Sequence, residues 1–496
     1  MYWAELLVIV LYTAALSFIF VYSLSQLNLV YVYRKAKRKQ TIAKPAVIAD
    51  DYQYPVVTVQ LPVYNELYVV ERLIDAVASL DWPKEKLEVQ VLDDSNDETV
   101  QLIADCVKKW KAKGVDIVQV RRPERKGFKA GALQYGMNVA KGEFIAIFDA
   151  DFVPEPDFLK HSVPHFEQDE KIGVVQTRWG HINEKYSILT KLQAFGLNTH
   201  FFVEQNGRAQ GGHFLNFNGT GGIWRKACIT DAGGWKADTL TEDLDLSYRA
   251  QLKGWRIFYN PDTVAPAELP AAMSAIKSQQ YRWTKGAAET SIKLLPKVLK
   301  APLSFGTKFH ATFHLLNSAV FICIVITAFL SVPILFIRNL TEGWQTIMDI
   351  SMMFLLGYVF LIIFYWNGFR EKKEGFWKTV RDFVPQMFML LSVFLGLSLH
   401  NAVAVFEGLI GKKTPFVRTP KFNITDKKGS WKGNIYFKKK INPLTIVEGF
   451  LGLYFIGGLG LAFYFNDFAL LPFHLLLSLG FLLVFYYTLQ HTRHAS

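Results

Sequence analysis

The stretch Phe144-Ile145-Ala146-Ile147-Phe148-Asp149-Ala150-Asp151 indicates how the first half of the chain folds. Its first five residues are apolar, which predicts a buried strand, and two carboxylates follow that strand closely. Three β-rich runs lie upstream at 56–61, 87–92 and 115–120, and helical stretches lie between the runs at 68–80, 97–111 and 129–140. Strands that alternate with helices predict βαβ units, so we expect an α/β domain with a mainly parallel sheet covered by helices.

Acidic residues follow three of these strands at corresponding positions. Pro62-Val63-Tyr64-Asn65-Glu66 follows the first strand, Asp93-Asp94-Ser95 the second and Asp149-Ala150-Asp151 the fourth. Ligands of parallel sheets bind beyond the carboxyl ends of the strands, so these groups would face one cleft. A single Asp after a strand is usually a turn residue or a helix N-cap. Three acidic sites around one cleft indicate instead that a cation or a hydrogen-bonding ligand offsets their repulsion.

The pair Asp149 and Asp151 is the most specific element of this cleft. Two carboxylates at positions i and i+2 beyond a rigid strand can hold Mg2+ or Mn2+, while a ligand diphosphate supplies the other oxygens. The metal would neutralise the charge that builds on a departing nucleotide diphosphate. Arg125-Lys126-Gly127 and Lys129-Ala130-Gly131 add positive charge and flexible backbone suited to a pyrophosphate. Taken alone, these two stretches could equally be a solvated basic turn.

The composition indicates a chain with two kinds of parts. It has 496 residues and a formal net charge of +12, with 51% hydrophobic and 20% charged residues. These values exclude a disordered or collagen-like protein. Three widely spaced cysteines exclude a disulfide framework and a Cys-x-x-Cys metal module. Long apolar runs lie on both sides of the soluble sequence at 50–300, which predicts a membrane protein with a soluble domain.

The apolar runs also predict how the chain crosses the membrane. The first run, at 6–33, precedes the basic cluster 34–39, which indicates an uncleaved anchor with its N-terminus outside. Five further runs lie at 310–337, 351–366, 383–409, 445–465 and 468–487. The basic segment 412–440 is expected in the cytoplasm, which holds if 383–409 lies at the interface or forms a re-entrant hairpin. We therefore expect about five transmembrane helices, a cytoplasmic C-terminus and an integral protein of a plasma or inner membrane.

Several motifs occur in one order along the chain. They are Pro62-Val63-Tyr64-Asn65-Glu66, Asp93-Asp94, Asp149-Ala150-Asp151, Thr241-Glu242-Asp243 and Gln279-Gln280-Tyr281-Arg282-Trp283. In this order they resemble inverting, nucleotide-sugar-dependent glycosyltransferases of family 2, in the cellulose-synthase-like branch that contains the plant mannan and xyloglucan-backbone synthases. The resemblance covers about residues 55–300. It implies a GT-A type glycosyltransferase domain, inserted between an N-terminal transmembrane helix and a C-terminal α-helical membrane region.

The resemblance and the apolar runs together divide the chain into four parts. A transmembrane anchor at 1–34 precedes a cytoplasmic GT-A domain at 50–270. Interface helices with the Gln-Gln-x-Arg-Trp motif follow at 271–306, and transmembrane helices occupy 307–490. This last part would contain the interfacial segment 383–409 and a cytoplasmic gating loop at 411–441.

The resemblance also implies roles for individual residues. Asp243 would be the general base, Glu242 and Thr241 would complete its catalytic motif, and Asp149 and Asp151 would hold Mg2+ or Mn2+. The remaining residues would bind the donor (Tyr64, Asn65, Glu66, Asp93, Asp94, Lys129, Asp149, Arg282) or the acceptor (Gln279, Trp283, Gly219, Thr220). Independently of the resemblance, Thr241 is expected to act as the N-cap of a helix at 244–252.

A further motif lies in the predicted cytoplasmic loop. Phe422-Asn423-Ile424-Thr425-Asp426-Lys427 resembles the Phe-x-Val-Thr-x-Lys gating loop of bacterial cellulose synthase, with Ile424 in place of valine. Such a loop would close over the nucleotide, with Thr425 and Lys427 at the diphosphate and Phe422 near the donor. The alternative, a basic juxtamembrane loop that binds anionic lipid, explains the charge of the segment but not the spacing of the motif.

Together these features predict a membrane-embedded, processive, inverting glycosyltransferase. It would use UDP-glucose or GDP-mannose to extend a β-1,4-glucan or mannan type polysaccharide and secrete it through its own membrane channel. Its partners would be the nucleotide-sugar donor, the growing glycan and the lipid bilayer. The alternative is a transferase that adds one sugar to a membrane lipid. Nucleic acid is not an expected partner, because no basic helix carries interleaved base-reading residues, and the sequence does not decide the oligomeric state.

Overall fold

The computed structural model describes residues 2–414, 418–425, 429–430, 435–436 and 442–493. A long helix, α1 (Tyr2–Lys39), precedes a soluble domain built on one seven-stranded sheet in these residues, with the order β3-β2-β1-β4-β6-β5-β7. The strands are β1 Val57–Val63, β2 Leu87–Asp93, β3 Asp116–Val120, β4 Phe144–Ile147, β5 Ile172–His181, β6 Gly222–Arg225 and β7 Arg256–Ala267.

The direction of the strands confirms the mainly parallel sheet. Strands β3, β2, β1 and β4 run parallel to one another, β6 runs antiparallel to β4 and β5, and β7 runs parallel to β5. Val63 at the end of β1 pairs with Asp93 at the end of β2, and Ile147 at the end of β4 pairs with Gln60. The carboxyl ends of β1, β2 and β4 therefore meet at one edge of the sheet, where the three acidic motifs begin.

Alternating side chains give the sheet an apolar layer on each face. Phe144 and Ala146 pack on the side of α2 (Val70–Ala78) and α3 (Thr99–Lys111), whereas Ile145 and Ile147 pack on the side of α4 (Phe128–Met137). This period of two buries β4 on both faces, which explains its continuous apolar sequence. Helices cover both faces of the sheet. A ligand can therefore approach it at the edge formed by the carboxyl ends of the strands.

Helices after β5 connect the sheet to the membrane part. They are α5 Ile188–Thr199, a π-helical turn at His200–Gln205, α6 Asn206–Gln210, α7 Lys226–Asp231, α8 Glu242–Leu252 and α9 Met273–Lys300. The Thr241-Glu242-Asp243 motif lies at the start of α8, and the Gln-Gln-x-Arg-Trp motif lies within α9.

The rest of the described chain is helical. The helices are α10 Phe305–Leu315, α11 Ala319–Leu340, α12 Gln345–Met353, α13 Leu356–Arg370, α14 Phe376–Gly396, α15 Ser398–Leu409, α16 Pro443–Tyr464 and α17 Leu471–Arg493. Five helices among the described residues are long and apolar enough to cross a membrane, at Tyr2–Lys39, Ala319–Leu340, Thr346–Arg370, Pro443–Tyr464 and Leu471–Arg493. This agrees with the expected five transmembrane helices and with an integral membrane protein.

The apolar run at 310–337 falls on two helices, of which α11 is long and apolar enough to be the predicted crossing. The chain leaves α10 after Leu315 and begins α11 at Ala319. Within α10, His314 Nδ1 lies 2.8 Å from the Tyr248 hydroxyl of α8 and His310 Nε2 lies 3.0 Å from Asn28 Oδ1 of α1. These contacts join α10 to α8 of the soluble domain and to α1.

The run at 383–409 falls on two helices, α14 and α15. They meet at a bend of 46°, and by length and composition the pair could also be a sixth, broken span. Helix α15 packs against α9 and α11, and α14 packs against α17. The interfacial and re-entrant alternatives for this segment both stay predictions.

Candidate active site

The acidic motifs line one cleft at the carboxyl edge of the sheet. The cleft encloses about 670 Å3 of empty space between the ends of β1, β2 and β4, helices α4 and α9, and residues 418–421. Six of the expected donor-binding residues line it, namely Tyr64, Glu66, Asp94, Lys129, Asp149 and Arg282. The other two, Asn65 and Asp93, lie behind this lining and bond to Ser95, since the Asn65 N–H donates to Ser95 Oγ at 2.9 Å and the Ser95 N–H donates to Asp93 Oδ1 at 2.8 Å.

Lys129 connects the parts of the cleft. Its ammonium donates to Asp149 Oδ1 at 2.6 Å and to the Gly219 carbonyl at 2.8 Å, and it lies 4.0 Å from Glu242 Oε1. The Asp149 N–H in turn donates to Thr220 Oγ1 at 2.9 Å. Burial alone would lower the pKa of Lys129, but Asp149 and Glu242 outweigh it and raise that pKa, so the cation is held in the site.

Asp243 lies in the first turn of α8, half-buried beside the Gly219 loop. Gly219 has a φ of 79°, and a Cβ added there would come within 3.0 Å of Asp243 Oδ2, so only glycine leaves room for this carboxylate. Burial, and then the charge of Glu242, raise the pKa of Asp243 to about 7. A carboxylate with a pKa near neutral pH is suited to act as a general base.

Thr241 occupies the N-cap position of α8, as predicted, although its side chain makes no capping hydrogen bond and the helix begins at Glu242. Its hydroxyl lies 3.1 Å from Thr290 Oγ1 on α9 instead. Gly286 of α9 packs directly against Thr241, because an added Cβ at Gly286 would lie 2.6 Å from Thr241 Cγ2. This close packing joins the Thr241-Glu242-Asp243 motif to the Gln-Gln-x-Arg-Trp helix.

Two basic residues from a distant segment enter the cleft. Lys421 Nζ lies 2.6 Å from Asp151 Oδ2, and Arg418 Nη1 lies 3.0 Å from Glu66 Oε2. Arg418 also donates to the backbone carbonyls of Tyr64 and Asn65. Sequence reasoning missed Arg418 and Lys421, although they directly precede the gating-loop motif and lie in a basic segment.

Glu66 is the most perturbed carboxylate of the donor side. It is buried, and burial raises its pKa to about 7 in spite of the opposing charges of Arg418 and Lys421. Its ionised form therefore depends on these two cations.

Asp94 is held in a forked ion pair. Arg122 donates to both of its carboxylate oxygens, at 2.7 and 2.6 Å. The guanidinium of Arg125 lies over the ring of Tyr64, with 3.4 Å between its central carbon and the ring centroid. This arrangement leaves a positively charged, aromatic wall at one end of the cleft, where a nucleotide could bind.

Helix α9 presents consecutive residues to two different cavities. Arg282 lines the cleft and donates to Thr419 Oγ1 at 2.7 Å, and burial lowers its pKa to about 10. Trp283 lines a second cavity among the membrane helices, together with Gln280. Gln279, which was expected at the acceptor, lines neither cavity.

The described part of the predicted gating loop packs onto the soluble domain. Phe422 is buried, and its N–H donates to Glu268 Oε1 at 3.0 Å. Ile424 is fully buried against Ala271, Ala272 and Ala275, and Thr425 is exposed. Lys427 lies outside the described residues.

The chemistry of the donor set allows a divalent cation at Asp149 and Asp151. Each carboxylate faces a lysine ammonium, and Asp151 Oδ1 is buried without a hydrogen-bond partner among the described residues. No cluster of three or more Asp, Glu, His or Cys ligands occurs in that part of the chain. Two carboxylates alone would leave most coordination positions to a ligand such as a diphosphate.

Comparisons with known proteins agree with this site. Residues 55–286 match the family model described as "Glycosyltransferase like family 2". Two rice proteins (Oryza sativa subsp. japonica) are similar over the same region. A probable glucomannan 4-beta-mannosyltransferase 7 is 45% identical over 263 residues, which cover 52% of this chain and 45% of the relative. Glucomannan 4-beta-mannosyltransferase 1 is 39% identical over 295 residues, which cover 56% of each chain. The chain thus spans about half the length of the curated relatives it matches.

The fold is also shared with a solved structure. It is similar to that of a mannosyltransferase from Pyrobaculum calidifontis, solved in complex with GDP-Man and Mn2+, with a TM-score of 0.54 and 20% identity. The match covers 81% of this chain and all of that chain. The GT-A-like fold, the matched family model and the rice relatives lead to one conclusion: residues 55–286 form a glycosyltransferase domain of family 2, flanked by helices that are apolar enough to span a membrane.

Proposed function

We propose that this protein is a processive, inverting glycosyltransferase that extends a β-linked polysaccharide from a nucleotide sugar and passes it into its own membrane region. One observation carries the proposal. The Asp243 base and the Lys129–Asp149 pair share the Gly219 loop, and the neighbouring residues Arg282 and Trp283 lead from this cleft to a cavity among the membrane helices.

The cleft is suited to a nucleoside diphosphate sugar. Lys129, Arg282, Arg418 and Lys421 all line it, and a diphosphate would bring the negative charge that these cations can bind. The rice relatives are named as glucomannan 4-beta-mannosyltransferases, which favours GDP-mannose over UDP-glucose as the donor and a β-1,4 linkage in the product.

The residues can supply each step of a single displacement. Asp243 accepts the proton of the acceptor hydroxyl, and the freed oxygen forms a bond to the anomeric carbon. The bond between that carbon and the diphosphate oxygen breaks at the same time, which inverts the configuration and releases the nucleoside diphosphate. Lys129 and Arg282 balance the charge that develops on the departing oxygen. The product chain is then longer by one sugar, and Asp243 returns its proton to solvent.

Asp149 and Asp151 would hold a Mg2+ or Mn2+ ion. When bound, the ion would supply additional positive charge to the leaving diphosphate. Lys421 occupies one oxygen of Asp151 in the structure, so its ammonium would have to move away from that carboxylate as the ion and the diphosphate bind.

The second cavity is suited to a sugar chain. It encloses about 1200 Å3 of empty space between α1, α9, α11, α13 and α14, and it is lined by aromatic residues that include Phe321, Tyr358 and Tyr365. Apolar faces of sugar rings stack on such side chains. Gln26 also lines the cavity, and both polar atoms of its side-chain amide are buried without a partner among the described residues. Sugar hydroxyls entering from Trp283 would satisfy that amide.

The proposal is tested with purified protein in nanodiscs, supplied with Mn2+ or Mg2+ and, separately, with labelled GDP-mannose and UDP-glucose. We expect GDP-mannose to give a polymer that β-mannanase digests. A product that extracts into organic solvent and resists glycan hydrolases would show instead that one sugar is transferred to a lipid. Absence of transfer from either donor would overturn the proposal.

A further inference from the structure

A third cavity lies on the other face of α9, away from Trp283. It encloses about 1380 Å3 of empty space between α9, α16 and α17. Ser274, Lys277 and Ser278 of α9 line it, whereas Gln280, Trp283 and Thr284 of the same helix line the membrane cavity described above. Arg282 belongs to both the third cavity and the donor cleft, so the third cavity adjoins the transfer site.

A buried ion pair forms part of its wall. Lys277 Nζ donates to Glu448 Oε2 at 2.6 Å, and the two residues are 8% and 0% exposed. This ion pair connects α9 to α16, and it needs only one of the two carboxylate oxygens of Glu448. The other oxygen, Glu448 Oε1, is buried without a hydrogen-bond partner among the described residues. A buried acceptor without a donor is costly, which indicates that a ligand donor can satisfy it.

Residues with hydroxyl groups line the same cavity as Glu448. Ser274 and Ser278 are half-buried on the wall. Thr445 also lines the cavity, as do the apolar side chains of Leu240 and Leu444. The wall therefore combines groups that both donate and accept hydrogen bonds with apolar surface, as sites for neutral, hydroxyl-rich ligands do.

The charges of the wall argue against an ionic ligand. Lys277 and Glu448 neutralise each other, and His400 Nε2 lies 3.0 Å from the Lys277 carbonyl. Arg282 is engaged by Thr419 on the side of the donor cleft. Arg282 is the remaining charged residue of the described lining and also faces the donor cleft, where the diphosphate would bind, whereas a neutral hydroxyl could donate to Glu448 Oε1.

We propose that this third cavity binds a neutral polyhydroxyl group beside the transfer site, separately from the membrane cavity at Trp283. Two sources carry this chemistry, a free oligosaccharide and the sugar headgroup of a membrane glycolipid. The cavity lies at the ends of two helices that can span the membrane, α16 and α17, and a headgroup at that depth could reach it as well as a soluble chain could.

The test measures binding by the full chain in phosphatidylcholine nanodiscs, with no nucleotide sugar present. One arm uses labelled mannotetraose, and the other uses nanodiscs doped with glucosyl diacylglycerol and read by native mass spectrometry. Ser278→Leu narrows the cavity and removes one hydroxyl. Whichever probe binds to the native chain should therefore bind at least about tenfold more weakly, which corresponds to about 1.4 kcal/mol. Ser79→Leu, on the exposed end of α2, is the matched control and should bind as the native chain does.

The arm that shows Ser278-dependent binding identifies the source. Binding of neither probe, or equal binding by the native and Ser278→Leu chains, would overturn the proposal. The proposal would also be overturned if Trp283→Ala abolished binding and Ser278→Leu did not, because the ligand would then lie in the membrane cavity. If Ser278→Leu fails to fold, Ser274→Ala removes a hydroxyl without adding bulk and answers the same question. The binding test uses no nucleotide sugar, so its result does not depend on transfer activity. A chain without transfer activity could still bind the probe, and an active transferase could fail to bind it.

Discussion

The donor cleft and the cavity at Trp283 begin at consecutive residues of α9, yet their walls have opposite chemistry. In the cleft each carboxylate faces a cation, as in the pairs of Asp149 with Lys129 and of Asp151 with Lys421. The membrane cavity is lined mostly by aromatic and aliphatic side chains with a few amides and hydroxyls. A charged wall suits a substrate that binds and leaves once in each cycle. A wall of rings suits a polymer that must slide, because stacking depends little on register.

The largest effect is expected from removing the base on the cleft side. Asp243→Asn keeps the shape of the residue but cannot accept the proton, so turnover should fall by about a hundredfold to ten-thousandfold. Donor affinity, measured by nucleotide-sugar binding, should change little. Asp262→Asn, at an exposed position on β7, is the control and should retain full turnover. Comparable losses in both variants would remove Asp243 from the proposed role.

A smaller loss is expected from the cation that connects the cleft. Lys129→Met removes the charge between Asp149 and the Gly219 carbonyl, and turnover should fall by about a hundredfold, as when one preorganised donor to a leaving group is lost. Single-turnover kinetics will separate this effect from donor binding. A variant that loses only donor affinity would show that Lys129 binds the ground state alone.

The pH profile tests the same base without a mutation. Asp243 must be ionised to accept a proton, and its pKa is about 7, so activity should fall by about tenfold for each pH unit below that value. Glu66 also has a pKa of about 7. Glu66→Gln should therefore keep the acidic limb if Asp243 causes it, and a limb that disappears in Glu66→Gln would assign it to the donor side.

The same pKa has a consequence for stability. The pKa of Asp243 is raised from 3.8 in an unfolded chain to about 7 in the folded one. Its contribution to stability is therefore complete below about pH 4 and is lost as the pH rises through about 7. Asp243→Asn should then unfold at a higher temperature than the native chain above pH 7, measured by thermal denaturation in detergent. A lower unfolding temperature there would contradict the raised pKa.

On the membrane side we expect changes in product length and not in chemistry. Trp283→Ala removes a stacking surface, so the product should become several-fold shorter while the rate of nucleotide release changes less. Trp283→Phe keeps a ring and should keep most of the length. Equal losses of length and of nucleotide release in Trp283→Ala would place Trp283 in the chemical step.

The smallest effect concerns Lys421. Its ammonium occupies Asp151 Oδ2, so Lys421→Met should lower the Mn2+ concentration needed for half-maximal activity by a few-fold, because the ion no longer competes with a lysine. Lys44→Met, at an exposed position, is the control. An unchanged Mn2+ dependence would mean that Asp151 and Lys421 separate without cost.

The sequence predicted the parts of the site that are local in the chain. The strand before Asp149, its parallel neighbours and the acidic motifs at their ends were all visible, because side-chain periodicity and turn residues depend on adjacent positions. The position of β6, which lies antiparallel between β4 and β5, was not visible in the sequence, because strand order depends on pairings between residues far apart in the chain.

Long-range contacts account for the remaining differences. Arg418 and Lys421 reach the cleft from a segment far along the chain, and no local pattern indicates which carboxylate each will meet. The contact of the Thr241 hydroxyl with Thr290 of another helix is of the same kind. Likewise, the partners of His310 and His314 lie on α1 and α8, far away in the sequence.

Product length at low conversion tests the central claim most directly. Purified chain in nanodiscs would receive labelled GDP-mannose and Mn2+, and the products would be sized after only a small fraction of the donor had been consumed. A processive enzyme with a cavity that holds its product should give long β-1,4-linked chains from the start, with few short intermediates. A ladder of short oligosaccharides that lengthens with time, or a product of one sugar on a lipid, would contradict the account.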